Sequence, residues 1–385
     1  MFDWKTKLSN LVEKIDKISD TLRIKWKQKK GYEKPLIIFP FLGFGTNRKI
    51  FLRGRVFEDK GEIITSQTDG KRRNLANLYR RFATDEVPFA VVKAKFRNVE
   101  NEFTADDEGY FAVEIENFEI ENLESLYHEI SLELVSPIQL NGEIAQSVGQ
   151  VIVPPTTARF GVISDLDDTV ISTNVTNKLK MLLTVALENE HTRVPFEGVS
   201  AFYRALRKGL NDENNPIFYV SSSPWNLYPF LTEFLKIHDI PRGALFLKDF
   251  GNHTIFNSSD HATHKLESIE RVLQTYPHLP FVLIGDNGES DPQIYAEIVK
   301  KYPERIRNIY IRSIRKEAEE IAKLQELIAE IKNSNVELIL AEETESAAVH
   351  AVSVGLISEE ELENIREKRI KDENLPKMSE IEKAS

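Results

Sequence analysis

The 385-residue chain contains no cysteine, which removes disulfide frameworks, thiolate catalysis and cysteine-ligated zinc from consideration. It also lacks any apolar run near the ~18 residues that a membrane-crossing helix needs, and its first residues show no apolar signal-peptide core. The expectation is a soluble, unexported protein of a reducing compartment. With 41% hydrophobic and 29% charged residues, the chain is neither collagen-like nor wholly disordered. Its length accommodates two or three domains of ~150 residues.

The net charge of −11 conceals an uneven distribution. Residues 1–100 hold 23 Lys/Arg against 12 Asp/Glu, whereas residues 101–150 hold 12 acidic side chains and no Lys or Arg. Residues 151–314 are nearly balanced, at 17 basic against 19 acidic. A basic N-terminal region in an acidic chain marks a surface suited to an anionic partner.

Four segments follow from patterning. In residues 1–32, Leu11, Val12, Ile15, Ile18, Leu22 and Trp26 fall at helical spacing with lysines between them, and the stretch ends in Lys25-Trp26-Lys27-Gln28-Lys29-Lys30. This predicts an amphipathic basic helix, either docked on its own protein or lying on anionic lipid. Residues 33–158 contain short runs rich in β-branched and aromatic residues, separated by turns such as Asp106-Asp107-Glu108-Gly109, and predict an all-β, sandwich-like domain. A basic helix over 71–82 is expected as an insertion, and Gly43-Phe44-Gly45 as a turn. Pro154-Pro155 marks the next boundary. Residues 159–357 alternate apolar strands (160–164, 217–220, 281–284, 308–311 and 336–340) with helical stretches such as 199–208 and 227–237, which predicts a parallel sheet covered on both faces. Residues 358–385 read as a charged helical or disordered tail.

The chemistry gathers at the ends of those strands. Gly161-Val162-Ile163-Ser164-Asp165-Leu166-Asp167-Asp168-Thr169 places Asp165 and Asp167 two residues apart after a buried strand, so extended backbone would turn both carboxylates the same way. Paired carboxylates at a sheet's carboxyl edge make a hard-metal site, although an Asp there also serves as a turn residue or N-cap. The second strand ends in Ser221-Ser222-Ser223-Pro224, whose hydroxyls and N–H groups could hold a phosphate oxygen or merely cap a helix. His264-Lys265 opens a helix leading to the third strand, and its ammonium could neutralise a phosphoryl group. That strand runs Ile284-Gly285-Asp286-Asn287-Gly288-Glu289-Ser290-Asp291, with one Asp at its end and another five residues on.

This order resembles the four motifs of the haloacid dehalogenase superfamily of phosphotransferases. Asp165-Leu166-Asp167-Asp168-Thr169-Val170, Tyr219 through Tyr228, and Ile284 through Pro292 look like the catalytic domain of the actin-patch type of phosphatidate phosphatase, including its bacterial members. The resemblance extends upstream through Gly43-Phe44-Gly45-Thr46, Gly54-Arg55-Val56 and Asp107-Glu108-Gly109-Tyr110-Phe111. It implies a Rossmann-like α/β catalytic domain preceded by the sandwich-like domain. It implies further that Asp165 is the nucleophile, Asp167 the general acid and base, and Ser221, Ser222 and Lys265 the phosphoryl-binding groups, with Lys265 also catalytic. The metal set would be Asp165, Asp167, Asp286 and Asp291 around Mg²⁺. The reaction implied is hydrolysis of phosphatidate to diacylglycerol and phosphate through an aspartyl-phosphate, by a cytoplasmic protein peripheral on the membrane. Anionic lipid would be met through residues 1–32 and 71–81. The apolar stretch 177–190 would cover the site or pack in the core. Two rival readings are a phosphatase of a soluble phosphate monoester and a membrane-associated scaffold with a vestigial site. Nucleic acid is not an expected partner, since no RNA-recognition or helix-turn-helix signature is present.

Overall fold

The computed structural model describes residues 32–59, 86–120, 123–166, 198–248, 258–288, 290–313 and 336–373, with a few positions between 322 and 331. The expected helices over 10–30, 71–82 and 177–190 lie outside these residues.

Two sheets organise the chain. The first contains β1 (Leu36–Pro40), β2 (Gly43–Gly45), β3 (Lys49–Glu58), β4 (Val91–Phe96), β5 (Val99–Thr104), β6 (Tyr110–Glu116), β7 (Tyr127–Ser136) and β8 (Gln146–Ile152). Its order is β1-β3-β2-β8-β7-β4-β5, with β6 also paired to β3. Strand β6 shows why these residues choose extended backbone: Phe111, Val113 and Ile115 point into the core while Ala112, Glu114 and Glu116 alternate outward. These strands are joined in a single mixed sheet around one core. Strand β3 joins them, its ten residues pairing with β1, β2 and β6. The expected turn at Gly43-Phe44-Gly45 is instead the short strand β2, antiparallel to β3 and parallel to β8.

The second sheet is parallel throughout, in the order β11-β10-β9-β12-β13-β14. Its strands are β9 (Gly161–Asp165), β10 (Ile217–Pro224), β11 (Ala244–Lys248), β12 (Phe281–Asp286), β13 (Ile306–Arg312) and β14 (Glu337–Ala341). Strands β9, β11 and β12 are buried along their whole length, as a sheet covered on both faces requires. One cover comprises α1 (Val199–Lys208), α2 (Tyr228–Ile237), α5 (Thr344–Ser353) and α6 (Glu359–Glu373); the other comprises α3 (Ser258–Thr275) and α4 (Asp291–Lys301). The chain runs outward from β9 to β10 and β11, then returns to β12 on the other side of β9. The reversal leaves a crevice beyond the carboxyl ends of β9 and β12, where ligands of open parallel sheets bind.

The two sheets share their cores. Phe41, after β1, stacks on Trp225 at 5.0 Å between ring centroids and lies 4.2 Å from the Tyr228 ring. The Tyr228 hydroxyl accepts a hydrogen bond from the Leu42 N–H at 2.6 Å. On the other cover, Phe44 of β2 packs with Phe218 and Phe246 in one hydrophobic cluster. The region after 358, expected as a tail, contributes fifteen residues as α6, with Leu362 and Ile365 buried. Among the described residues no helix is long and apolar enough to cross a membrane.

Candidate active site

Strand β9 ends on Asp165 and strand β12 on Asp286, adjacent strands in register with Ser164 opposite Ile284. Both carboxylates therefore arrive at the same edge, at the crevice of the topological reversal. The chain then turns over Asn287 to Ser290 into α4, whose first residue is Asp291 with Pro292 behind it. Proline there is already shaped for a first turn and has no N–H to leave unpaired. The turn returns Asp291 to the strand: its Oδ2 accepts from the Asp286 N–H at 3.3 Å, while the Gly288 N–H donates to Asp286 Oδ1 at 2.5 Å. Asp165, Asp286 and Asp291 are all buried, and one oxygen of each lies within 4.8 Å of the others.

Lys265 enters this group from α3. Its ammonium lies 2.6 Å from Asp165 Oδ1 and 2.8 Å from Asp291 Oδ1, with the side chain almost completely buried. The helix begins at Ser258, so Lys265 stands about two turns inside α3 rather than opening it. Three buried carboxylates gathered around one ammonium make a strongly charged group in a region shielded from water. Carboxylates at this mutual distance are the donor set that a hard divalent cation takes. The residues fit such an ion.

Around the acids stands a layer of hydroxyls. The Ser164 hydroxyl donates to the Asp165 carbonyl at 2.7 Å and has only that proton to give. Tyr203 is thus the donor in its 2.6 Å bond to Ser164 Oγ. Burial pushes the Tyr203 phenol up, against the lowering pull of that bond. Tyr295, four residues after Asp291, donates to the Ile284 carbonyl at 2.8 Å. Burial first, and the Asp291 carboxylate next, raises its phenol well above the ordinary value. Both phenols keep their protons and serve as fixed donors that pin the ends of β9 and β12.

Of the residues singled out from sequence, Asp165, Lys265, Asp286 and Asp291 come together directly. Ser221 extends β10 one step beyond Val220, which pairs with Asp165, and is fully buried at the same edge with its Oγ accepting from the Ser223 N–H at 3.0 Å. Ser222, half-buried, is its neighbour. Asp167 lies outside the described residues. Sequence reasoning missed Tyr203, Tyr295 and Gly285. The four-residue step from Asp291 to Tyr295 was a readable helical neighbour relation; Tyr203 acts on an element distant in sequence, and Gly285 through the close return of Asp291 to its strand.

Residues 160–313, from the start of β9 to the end of β13, match the family described as phosphatidate phosphatase APP1, catalytic domain. The match contains all four charged residues of the cluster. Residues 160–313 thus resemble the APP1-type phosphatidate phosphatase catalytic domain. Phosphatidate phosphatase APP1 of Saccharomyces cerevisiae is 29% identical over 182 residues, which cover 46% of this chain and 30% of that protein. An uncharacterized protein of Schizosaccharomyces pombe is 30% identical over 255 residues, covering 63% of this chain and 40% of its own length. The chain thus spans less than half the length of these two proteins. Among solved structures, a carbohydrate acetylesterase from Xanthomonas citri aligns with a TM-score of 0.24 at 12% identity, over 77% of this chain and 65% of that one. A likeness of that size bears on neither fold nor function.

Proposed function

We propose that the chain is a Mg²⁺-dependent phosphatidate phosphatase of haloacid-dehalogenase type, working from the cytoplasm at a membrane surface. The observation that carries this reading is the buried set Asp165, Asp286 and Asp291 around Lys265, inside the APP1-type catalytic domain. Mg²⁺, held by Asp165, Asp286 and the Asp167 carbonyl with Asp291 ordering its waters, would supply charge compensation and polarise a phosphoryl oxygen.

The chain's own residues do the rest. The Asp165 carboxylate attacks phosphorus; the new bond makes an aspartyl-phosphate as the bond to the diacylglycerol oxygen breaks. Asp167 gives its proton to that departing alkoxide. It then takes a proton from the water that attacks the same phosphorus, which releases phosphate and returns Asp165 as a carboxylate. Lys265 and Ser221, with Ser222 beside it, bind the phosphoryl oxygens, whose charge must be met in the transition state. The Tyr203–Ser164 and Tyr295–Ile284 bonds keep both strand ends still while this happens. The excess of cations in residues 1–100 supports an anionic lipid substrate, which the basic stretches 1–32 and 71–81 would meet.

Asp165→Asn tests the chemistry. It leaves the volume of the site unchanged, so the fold should persist while phosphate release drops by roughly a thousandfold or more. Chelation should stop turnover and added Mg²⁺ restore it. Activity retained in Asp165→Asn, or indifference to chelation, would refute the assignment.

A further inference from the structure

The proposed reaction leaves a neighbouring cleft without a role. The cleft has a volume of about 430 Å³, within the range of small-ligand sites. One wall comes from the first sheet, with Phe44 of β2 and Phe51 and Arg53 of β3; the other comes from Phe246 of β11 and from α3. None of Asp165, Lys265, Asp286 and Asp291 lines it. It nevertheless adjoins them. His264, beside Lys265 in the chain, and Trp225, which directly follows Pro224 at the end of β10, are both part of the lining.

The chemistry of the cleft is two-sided. The Phe44 ring packs on Phe51 at 5.3 Å and on Phe246 at 5.0 Å between centroids, making a continuous apolar wall. Two guanidiniums lie over rings of the lining. Arg53 stands 5.0 Å from the Trp225 centroid, and Arg271, on α3, stands 5.1 Å from Phe51 and 5.4 Å from Phe44. A guanidinium laid on an aromatic face keeps its N–H edge for an anion. The Arg271 edge is unused: among the described residues its guanidinium makes no hydrogen bond or ion pair. Partial burial first, and the nearby Arg53 charge next, lower its pKa, against the pull of Glu114. Two cations thus share one cleft. Of the acids that also line it, Glu114 is paired with Lys49, and Glu267 pairs with neither guanidinium.

We propose that this cleft is a second binding site, for an anionic amphiphile: its phosphate or carboxylate held by Arg271 with Arg53, its hydrocarbon laid on the Phe44, Phe51 and Phe246 rings. A bare anion would leave the apolar wall in water, and a neutral hydrocarbon would leave two like charges without an opposite one. The anion concerned is not the reacting phosphoryl group, whose proposed binders Lys265 and Ser221 lie outside the lining. The site is independent of metal and of the reaction. Its link to them is α3, which carries Lys265 and, less than two turns later, Arg271.

Equilibrium dialysis of the full chain against dihexanoyl phosphatidylglycerol, below its micellar concentration, tests this. The lipid is a phosphodiester, so the proposed phosphomonoesterase does not consume it. The expected result is a saturable site, weakened roughly tenfold or more by Arg271→Glu and weakened also by added salt. Dihexanoyl phosphatidylcholine, with the same chains and no net charge, should bind less tightly by a similar factor. Arg271 is exposed, so its substitution spares the fold, and an unchanged melting temperature verifies this; Arg271→Gln should shift the affinity in the same direction with a smaller perturbation. Asp165→Asn should bind the lipid as the wild type does, which separates this result from the fate of the proposed phosphatase reaction. Undiminished binding in both Arg271 variants would overturn the proposal by placing the lipid elsewhere. So would equal affinities for the two lipids, equal affinities for inorganic phosphate and phosphatidylglycerol, or no binding at all.

Discussion

A Cβ placed on Gly285 would lie 2.4 Å from Asp291 Oδ2 and 2.8 Å from the Tyr295 hydroxyl. Glycine is needed there because the acid that closes the site folds back onto the strand that delivers Asp286. Gly285→Ala must therefore push Asp291 away from Lys265, at a cost of about 1–3 kcal/mol in stability and roughly a hundredfold in turnover, the usual effect of a misplacement near 1 Å. Chemical denaturation and phosphate release measure the two effects, and wild-type turnover in Gly285→Ala would show that the position of Asp291 is unimportant. At this scale the sequence was most informative about the acids. Asp165, Asp286 and Asp291 stood out because carboxylates after apolar strands are unusual and chemically specific. Gly285 and Tyr203 did not, because their roles are distances to atoms on other elements, which no local pattern encodes.

The elements divide in the same way. Buried parallel strands announce themselves as apolar runs, and five of the six in the second sheet were readable; β11, only five residues long, was not. Helix α6 was obscured because much of its anchoring is polar. Asp372, fully buried, accepts from the Gly198 N–H at 2.9 Å and pairs with Lys368, while Glu361 meets Lys208 at 2.6 Å. A sequence rich in charge looks solvated until its partners on α1 are known. The junction of α2 with α6 also carries a pH dependence. His238, after α2, is buried against the Phe234 ring, with centroids 4.4 Å apart. Burial first, and then the Lys368 charge, lowers its pKa from 6.5 to about 4, against the pull of Asp372. Folded, the imidazole stays neutral down to that pH; unfolded, it takes a proton near 6.5. Between the two the unfolded chain binds more protons, so stability falls as pH drops and levels off below about 4. The His238 share of the loss between pH 7 and pH 5 is about 2 kcal/mol. Denaturation at both pH values, compared with His238→Phe, should show that share vanish in the variant; an unchanged slope would mean the imidazole is not buried neutral.

Over the whole molecule, the two sheets are bound into common cores. Phe41 and Phe57 of the first sheet's region pack with Trp225, Tyr228 and Leu231, while Phe44, Leu126 and Ile152 pack with Phe218, Phe246 and Tyr276. The Arg207 guanidinium donates to the Tyr127 hydroxyl at 2.5 Å and also reaches the Arg242 carbonyl, linking β7 to the region before β11. Heating should therefore produce one calorimetric transition. Trp225→Ala should lower it as a unit, by about 3–5 kcal/mol, and two separated transitions would show the sheets to be independent. Charge is arranged on this scale too: the excess of cations belongs to residues 1–100, away from the nearly balanced stretch that bears the acids. A basic N-terminal sequence and a buried carboxylate site in one chain suit the proposed hydrolysis of an anionic lipid. The most direct test of that claim is the rate of phosphate release, with Mg²⁺ present, from phosphatidate in mixed micelles, set against a panel of soluble phosphate monoesters. The account predicts phosphatidate as the preferred substrate, with its hydrolysis lost in Asp165→Asn; turnover confined to the soluble esters would contradict it.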